Sequence, residues 1–121
     1  MQDFKKLKVW EKSHQLCLSI YKDTRDFPKE ELFGIVTQMR RSSSSIPTNI
    51  AEGCGRGTQM ELNRFIQISL GSLSELEYQI ILSKDLGYFD ESQVHDYSKN
   101  LIEIRKMLFS LKEKVLISAS K

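Results

Sequence analysis

This chain of 121 residues has few of the features that usually reveal a function. It holds two histidines and two cysteines. Cys17 falls on an apolar helical face and reads as a reduced, buried thiol. Cys54 sits among glycines, a setting open to solvent and to reactivity, though no fixed basic neighbour activates it. With only two prolines and six glycines, long elements are expected. No apolar stretch opens the chain; Met1-Gln2-Asp3-Phe4-Lys5-Lys6 is no secretory signal. The longest aliphatic run, Ile80-Ile81-Leu82, is far short of the ~20 residues of a membrane span. These absences point to a cytoplasmic protein without a membrane partner. A formal charge of +2 argues for no partner by itself, although the first sixty residues lean basic.

Ordinary hydrophobic content (40%) and charged content (28%) fit one globular domain over residues 1–121. Periodicity and punctuation then mark four helices. The first spans Leu7 to Arg25, with Trp10, Cys17, Ile20, Tyr21 and Thr24 as its stripe. Asp26-Phe27-Pro28 ends it, and Pro28 with Glu30 and Glu31 suits the first turn of the second helix. The third opens with Thr58 and Glu61 at the spacing of a capping box. It buries Leu62, Phe65, Ile66, Ser69, Leu73, Leu76 and Ile80 and closes at Gly87; Gly71 in its middle suggests a close neighbouring backbone. The fourth starts at Asp90 and carries a seam of Val94, Tyr97, Leu101, Ile104, Leu108, Leu111 and Val115. No segment alternates for long enough to make a strand. The expected fold is all-α, an antiparallel up-down four-helix bundle.

The stretch RRSSSSIPTNIAEGCGRG, Arg40 to Gly57, resembles a linker at first sight. Yet Leu32, Ile35, Val36, Met39, Ile46 and Ile50 keep a helical register through it, with Ser42 and Ser43 on the same face. Four serines in place of alanine cost on the order of 2 kcal/mol in helix propensity. Pro47 adds ~3 kcal/mol by removing a hydrogen bond to the Ser43 carbonyl. A closely packed helix must offset this, so a kink near Ser43–Pro47 is expected, with Gly53, Gly55 and Gly57 ending the helix.

Reactive chemistry finds no footing. A di-iron bundle needs two Glu-x-x-His motifs, and only Glu11-Lys12-Ser13-His14 has the spacing, since Ser92 precedes His95 at that interval. Gly53-Cys54-Gly55-Arg56-Gly57 lacks the strand or the Gly-Lys-Ser/Thr ending of a phosphate loop. What it keeps is a set of free N–H groups at the start of the third helix, beside Arg56. The serines have no histidine partner. No cofactor, metal or catalytic residue is expected.

Two surface features remain. Ile102, Phe109 and Leu116 repeat at sevens about 100° around the fourth helix from its seam, and they read as an oligomer interface. Basic residues gather as Arg40 and Arg41, as Arg56 and Arg64, and near Lys6 at the start of the chain. These either bind phosphate or form structural ion pairs, Arg41 with Glu52 for example.

Several runs also carry a resemblance: Phe4-x-x-Leu7-x-Val9-Trp10, Phe27-Pro28-x-x-Glu31-Leu32-Phe33-Gly34, Gln38-x-Arg40-Arg41, Ser45-Ile46-Pro47-Thr48-Asn49-Ile50-Ala51-Glu52-Gly53, Gly71-Ser72-Leu73-Ser74-Glu75-Leu76 and Leu86-Gly87-Tyr88. In these the chain resembles the four-helix bundle family encoded in intervening sequences of bacterial large-subunit rRNA genes, formerly regarded as ribosomal proteins. More distantly it is similar to the accessory variability protein of diversity-generating retroelements. Ser69 stands where alanine is expected. The resemblance implies a homopentameric bundle without enzyme activity and, through the retroelement relative, nucleic-acid and reverse-transcriptase partners. It makes Pro47, Asn49, Glu52 and Gly53 a signature, either bracing the end of the second helix or lining a site.

The sequence thus predicts a non-enzymatic homo-oligomer that binds RNA or DNA backbone through Arg40, Arg41, Arg56 and Lys6. A protein-interaction scaffold is the alternative. An enzyme site around Asn49, Glu52 and Cys54 ranks last.

Overall fold

Turn chemistry places the helix ends in the computed structural model, which describes residues 2–121. The helices are α1 (Lys8–Asp23), α2 (Thr37–Gly55), α3 (Gln59–Asp85) and α4 (Glu91–Ala119), and no strand occurs among the described residues. Asp90 caps α4 with a complete capping box: its side chain accepts from Gln93 N (2.8 Å) while Gln93 Oε1 accepts from Asp90 N (3.0 Å). Thr58 caps α3 by accepting from Glu61 N at 3.2 Å. The reciprocal half of that expected box is absent, because the Glu61 carboxylate accepts from Arg64 Nε instead (3.0 Å). Gly57 (φ +89°) and Gly87 (φ +83°) take the left-handed conformation that reverses the chain after α2 and α3.

Two expectations need correction. The second helix does not start at Pro28. Single turns cover Lys29–Glu31 and Leu32–Val36, with Gly34 non-helical (φ −112°, ψ −117°), and regular α-helix begins at Thr37. Glu31 does not serve a helix N-terminus; it accepts a 2.8 Å hydrogen bond from the Tyr88 hydroxyl and so ties this connection to the α3–α4 turn. Leu32, counted as core, is exposed. On α1 the buried stripe is Val9, Ser13, Leu16, Cys17 and Ile20, whereas Tyr21 is exposed and Trp10 half-buried. Trp10 instead meets Phe4 edge-on (5.0 Å) and stacks on His14 (5.2 Å).

Cross-helix bonds fix the arrangement. Arg40 donates to Thr24 Oγ1 (3.1 Å) and Ser43 to Cys17 Sγ (3.7 Å), joining the start of α2 to the end of α1. Ser42 donates to Gln79 Oε1 (2.6 Å), Ser45 bonds Ser72 (2.8 Å), and Ser69 donates to the Ile46 carbonyl (3.0 Å). Arg105 pairs with Glu77 (3.0 Å), and Lys12 with Glu103 (3.0 Å). Lower numbers on one helix meet higher numbers on the next, so neighbours are antiparallel. Ile46, Ile50, Ile66, Leu73, Leu76, Leu101, Ile104 and Leu108 fill the shared core.

Ser42 and Ser45 therefore lie in the seam between α2 and α3, the most extensive helix contact in the fold, while Ser43 faces α1. Their small side chains let the helices close, and their hydroxyls are satisfied by backbone or partner side chains once buried. α2 continues as helix through the buried Pro47 to Gly55. Gly71 does not mark a close approach: a Cβ there meets nothing within 4 Å. Gly71→Ala is accordingly expected to stabilise the protein by up to ~1 kcal/mol, read as a higher urea midpoint with unchanged slope.

Candidate nucleic-acid interface

The signature segment is occupied structurally. Asn49 Nδ2 donates to both the carbonyl (2.8 Å) and the hydroxyl (2.9 Å) of Ser45, and the latter holds Ser72 of α3. Glu52 lies 4.0 Å from Arg56, one turn on, rather than pairing with Arg41. Gly53 is buried where α3 crosses closest. Cys54 is buried as well, contrary to the open setting expected, and burial pushes its thiol up, as it does that of Cys17. A thiol held protonated is the reverse of an activated nucleophile.

The basic residues divide. Arg40 is half-buried and spans α1: beyond Thr24, it donates to the Tyr21 carbonyl (3.3 Å) and lies over the Tyr21 ring (4.8 Å). It clamps two helices together. Arg41 is exposed beside it. Arg56 is one full helix away, some ~22 Å along α2 from Arg41, so these residues do not form one patch. Arg56 and Arg64 instead flank the Phe65 ring, at 5.1 and 4.8 Å. The Gln2 N–H to Cys54 carbonyl bond (3.3 Å) brings the start of the chain, with exposed Lys6, to the same end of the bundle.

The fold spreads the charges of a nearly neutral chain unevenly between its ends. One end gathers Lys5, Lys6, Lys8, Arg56, Arg64 and Lys114, the last sharing a surface cavity with Lys8, interspersed with Asp3, Glu11, Glu52, Glu61 and Glu113. The opposite end carries Asp23, Asp26, Asp85, Asp90, Glu91 and Asp96 among Lys22, Arg25, Lys29, Arg40, Arg41 and Lys84. Sequence order hides this distribution, and it emerges when charges are assigned to helix ends of an antiparallel bundle.

A family model described as 23S rRNA-intervening sequence protein matches residues 5–110. The chain belongs to that family. As a 23S rRNA-intervening sequence protein it is also similar to a solved structure from Bacteroides thetaiotaomicron, a protein of unknown function from the S23 ribosomal protein family. That similarity covers 87% of this chain and 95% of the other, with 26% identity and a TM-score of 0.78. No curated protein matches the chain. Among the described residues of this family member, no helix is long and apolar enough to cross a membrane.

Proposed function

We propose that this 23S rRNA-intervening sequence protein is a non-enzymatic homo-oligomer that binds RNA or DNA backbone through the basic end of its bundle. The observation that carries the reading is the gathering of Lys6, Arg56 and Arg64 at one end of the bundle, away from the acidic turn of Asp85, Asp90 and Glu91. Self-association rests on Ile102, Phe109 and Leu116, which line one face of α4 and remain 50%, 53% and 40% exposed. Because that stripe runs along the helix, contact through it sets protomers side by side. Cyclic symmetry then puts every basic end on the same side of a ring, a pentamer by family resemblance, and a modest local charge becomes a continuous rim. Arg40 serves chiefly as the α1–α2 clamp.

The test is a titration of a fluorescent RNA hairpin and its DNA counterpart at two salt concentrations, on protein whose mass is fixed by light scattering. Arg56→Ala with Arg64→Ala is expected to weaken binding about tenfold or more at low salt and to flatten the salt slope. Arg40→Ala with Arg41→Ala should leave the slope unchanged; if this pair flattens it and the first pair does not, the basic end is the wrong surface. Phe109→Glu should lower the mass toward the monomer and weaken binding with it.

A further inference from the structure

Three cavities lie end to end along the seam between α1 and α4. The middle one, about 440 Å³, has Leu16 and Ile104 in its lining together with Lys12, Gln15, Asn100 and Glu103. Ser19 and Asn100 also line a cavity of about 170 Å³ that continues to Asp23 and Asp96. Lys8 also lines one of about 210 Å³ that continues to Met107 and Lys114. The shared residues make the three a single furrow. Its origin is topological: no turn joins the first and last helices, and they meet less closely than the pairs joined in sequence. The Lys12–Glu103 pair (3.0 Å) and the Tyr97–Asp23 hydrogen bond (2.5 Å) bridge it, while short polar residues leave the space between open.

The furrow has a length, an apolar floor and a direction. From Lys8 to Asp23 it covers fifteen steps of α1, ~22 Å. Its floor is Leu16, Ile104 and, toward Met107, Val9 and Leu111. Its walls change sign along the axis, from Lys8 and Lys114 at one end, past a mixed middle where Lys12 pairs with Glu103 beside Glu11, to Asp23 and Asp96 at the other.

We propose that this furrow docks one amphipathic helix of a partner protein, about four turns long, running parallel to α1, with acidic residues in its first half and basic residues in its second. A nucleic-acid backbone fits poorly, because half of its phosphates would face carboxylates. A helix satisfies its own backbone hydrogen bonds and can lay an apolar stripe on the floor. Charge fixes which half meets which end, and the partner's own dipole then fixes the direction. The acidic half must meet Lys8 and Lys114, beside the start of α1, and acidic residues at the N-terminus and basic ones at the C-terminus also suit the partner's own dipole. The inference does not rest on the nucleic-acid reading: Lys8 and Lys114 belong to the basic end too, but neither Arg56 nor Arg64 lines the furrow.

Two fluorescein-labelled synthetic helices of about sixteen residues test it by anisotropy against the full chain. Both carry the same leucine stripe; one has glutamates first and lysines last, the other has glutamates in both halves. The first is expected to bind at least about tenfold more tightly. Asn100→Trp, which fills the middle cavity from an exposed position, should abolish that binding. Asp96→Lys, also exposed, should weaken the first helix and strengthen the second. Melting curves accompany both variants. Equal binding of the two helices, binding of neither, or full binding by a folded Asn100→Trp variant overturns the proposal.

Discussion

Gly53→Ala is expected to lower the stability of the bundle by about 2 kcal/mol, although alanine is the better helix former. A Cβ at Gly53 would lie 2.8 Å from Phe65 Cβ and 3.0 Å from Leu62 Cδ1, with the Leu62 backbone at 3.4 Å. Phe65 Cβ is the first atom of its side chain, so it cannot turn away; α3 itself must move. That movement strains the serine bonds along the α2–α3 seam and loosens the packing of Leu62 and Phe65. Overpacking of this kind costs roughly 1–3 kcal/mol, and the upper end applies where backbone must shift. The gain in helix propensity returns up to ~1 kcal/mol. A fall of roughly 8 °C in the melting midpoint corresponds to the net effect in a domain of this size. Gly71→Ala, on the same helix pair but facing open space, provides the contrast. A Gly53→Ala protein as stable as the parent would show that α2 and α3 do not touch there.

The two glycines also show what sequence could and could not convey. The sequence assigns Gly71 to a close approach and Gly53 to the end of a helix, and the structure places the close approach at Gly53 instead, because only the position of the neighbouring helix decides. The long, uninterrupted stripes of α3 and α4 were legible residue by residue, since each keeps one core-facing register without a break. α1 was not, because it has apolar residues on more than one face. Trp10 and Tyr21 drew the stripe toward themselves, whereas Val9 and Leu16 join the expected Ile20 in the core and Tyr21 supports Arg40 at the edge. The start of α2 was misplaced because Ile35 and Val36 stay in phase across the break at Gly34. The candidate surface was least legible. Arg40, Arg41 and Arg56 are near in sequence but lie at opposite poles, while Lys6, Arg56 and Arg64 become neighbours only through the Gln2–Cys54 bond and the shared Phe65 ring.

Alkaline pH is expected to unfold this protein more steeply than its surface charges would require. Burial is the first cause that raises the Cys17, Cys54 and Tyr97 ionisations above their ordinary values of 9.0, 9.0 and 10.0. For Tyr97 the hydroxyl's bond to Asp23 and the carboxylate's charge act in the same direction. Below the ordinary value both folded and unfolded chains keep these protons, so the stabilisation is fully present. Above it the unfolded chain releases them and the folded chain does not, so stability falls as pH rises. Each group contributes up to ~1.4 kcal/mol per pH unit beyond its unfolded value. The decline should therefore begin near pH 9 with the thiols and steepen above pH 10 with Tyr97. Tyr97→Phe separates that last contribution. At pH 7 it should cost about 1–2 kcal/mol, because Asp23 loses a donor at the α1–α4 seam. Above pH 10 it should decline less steeply than the parent, since no phenol remains at this position to ionise. Urea midpoints at pH 7, 9 and 10.5 measure both effects, and parallel decline of parent and variant above pH 10 would remove Tyr97 from the account. A deficit that shrinks between pH 7 and pH 10.5 distinguishes a buried, bonded phenol from simple loss of packing, which would lower stability equally at every pH.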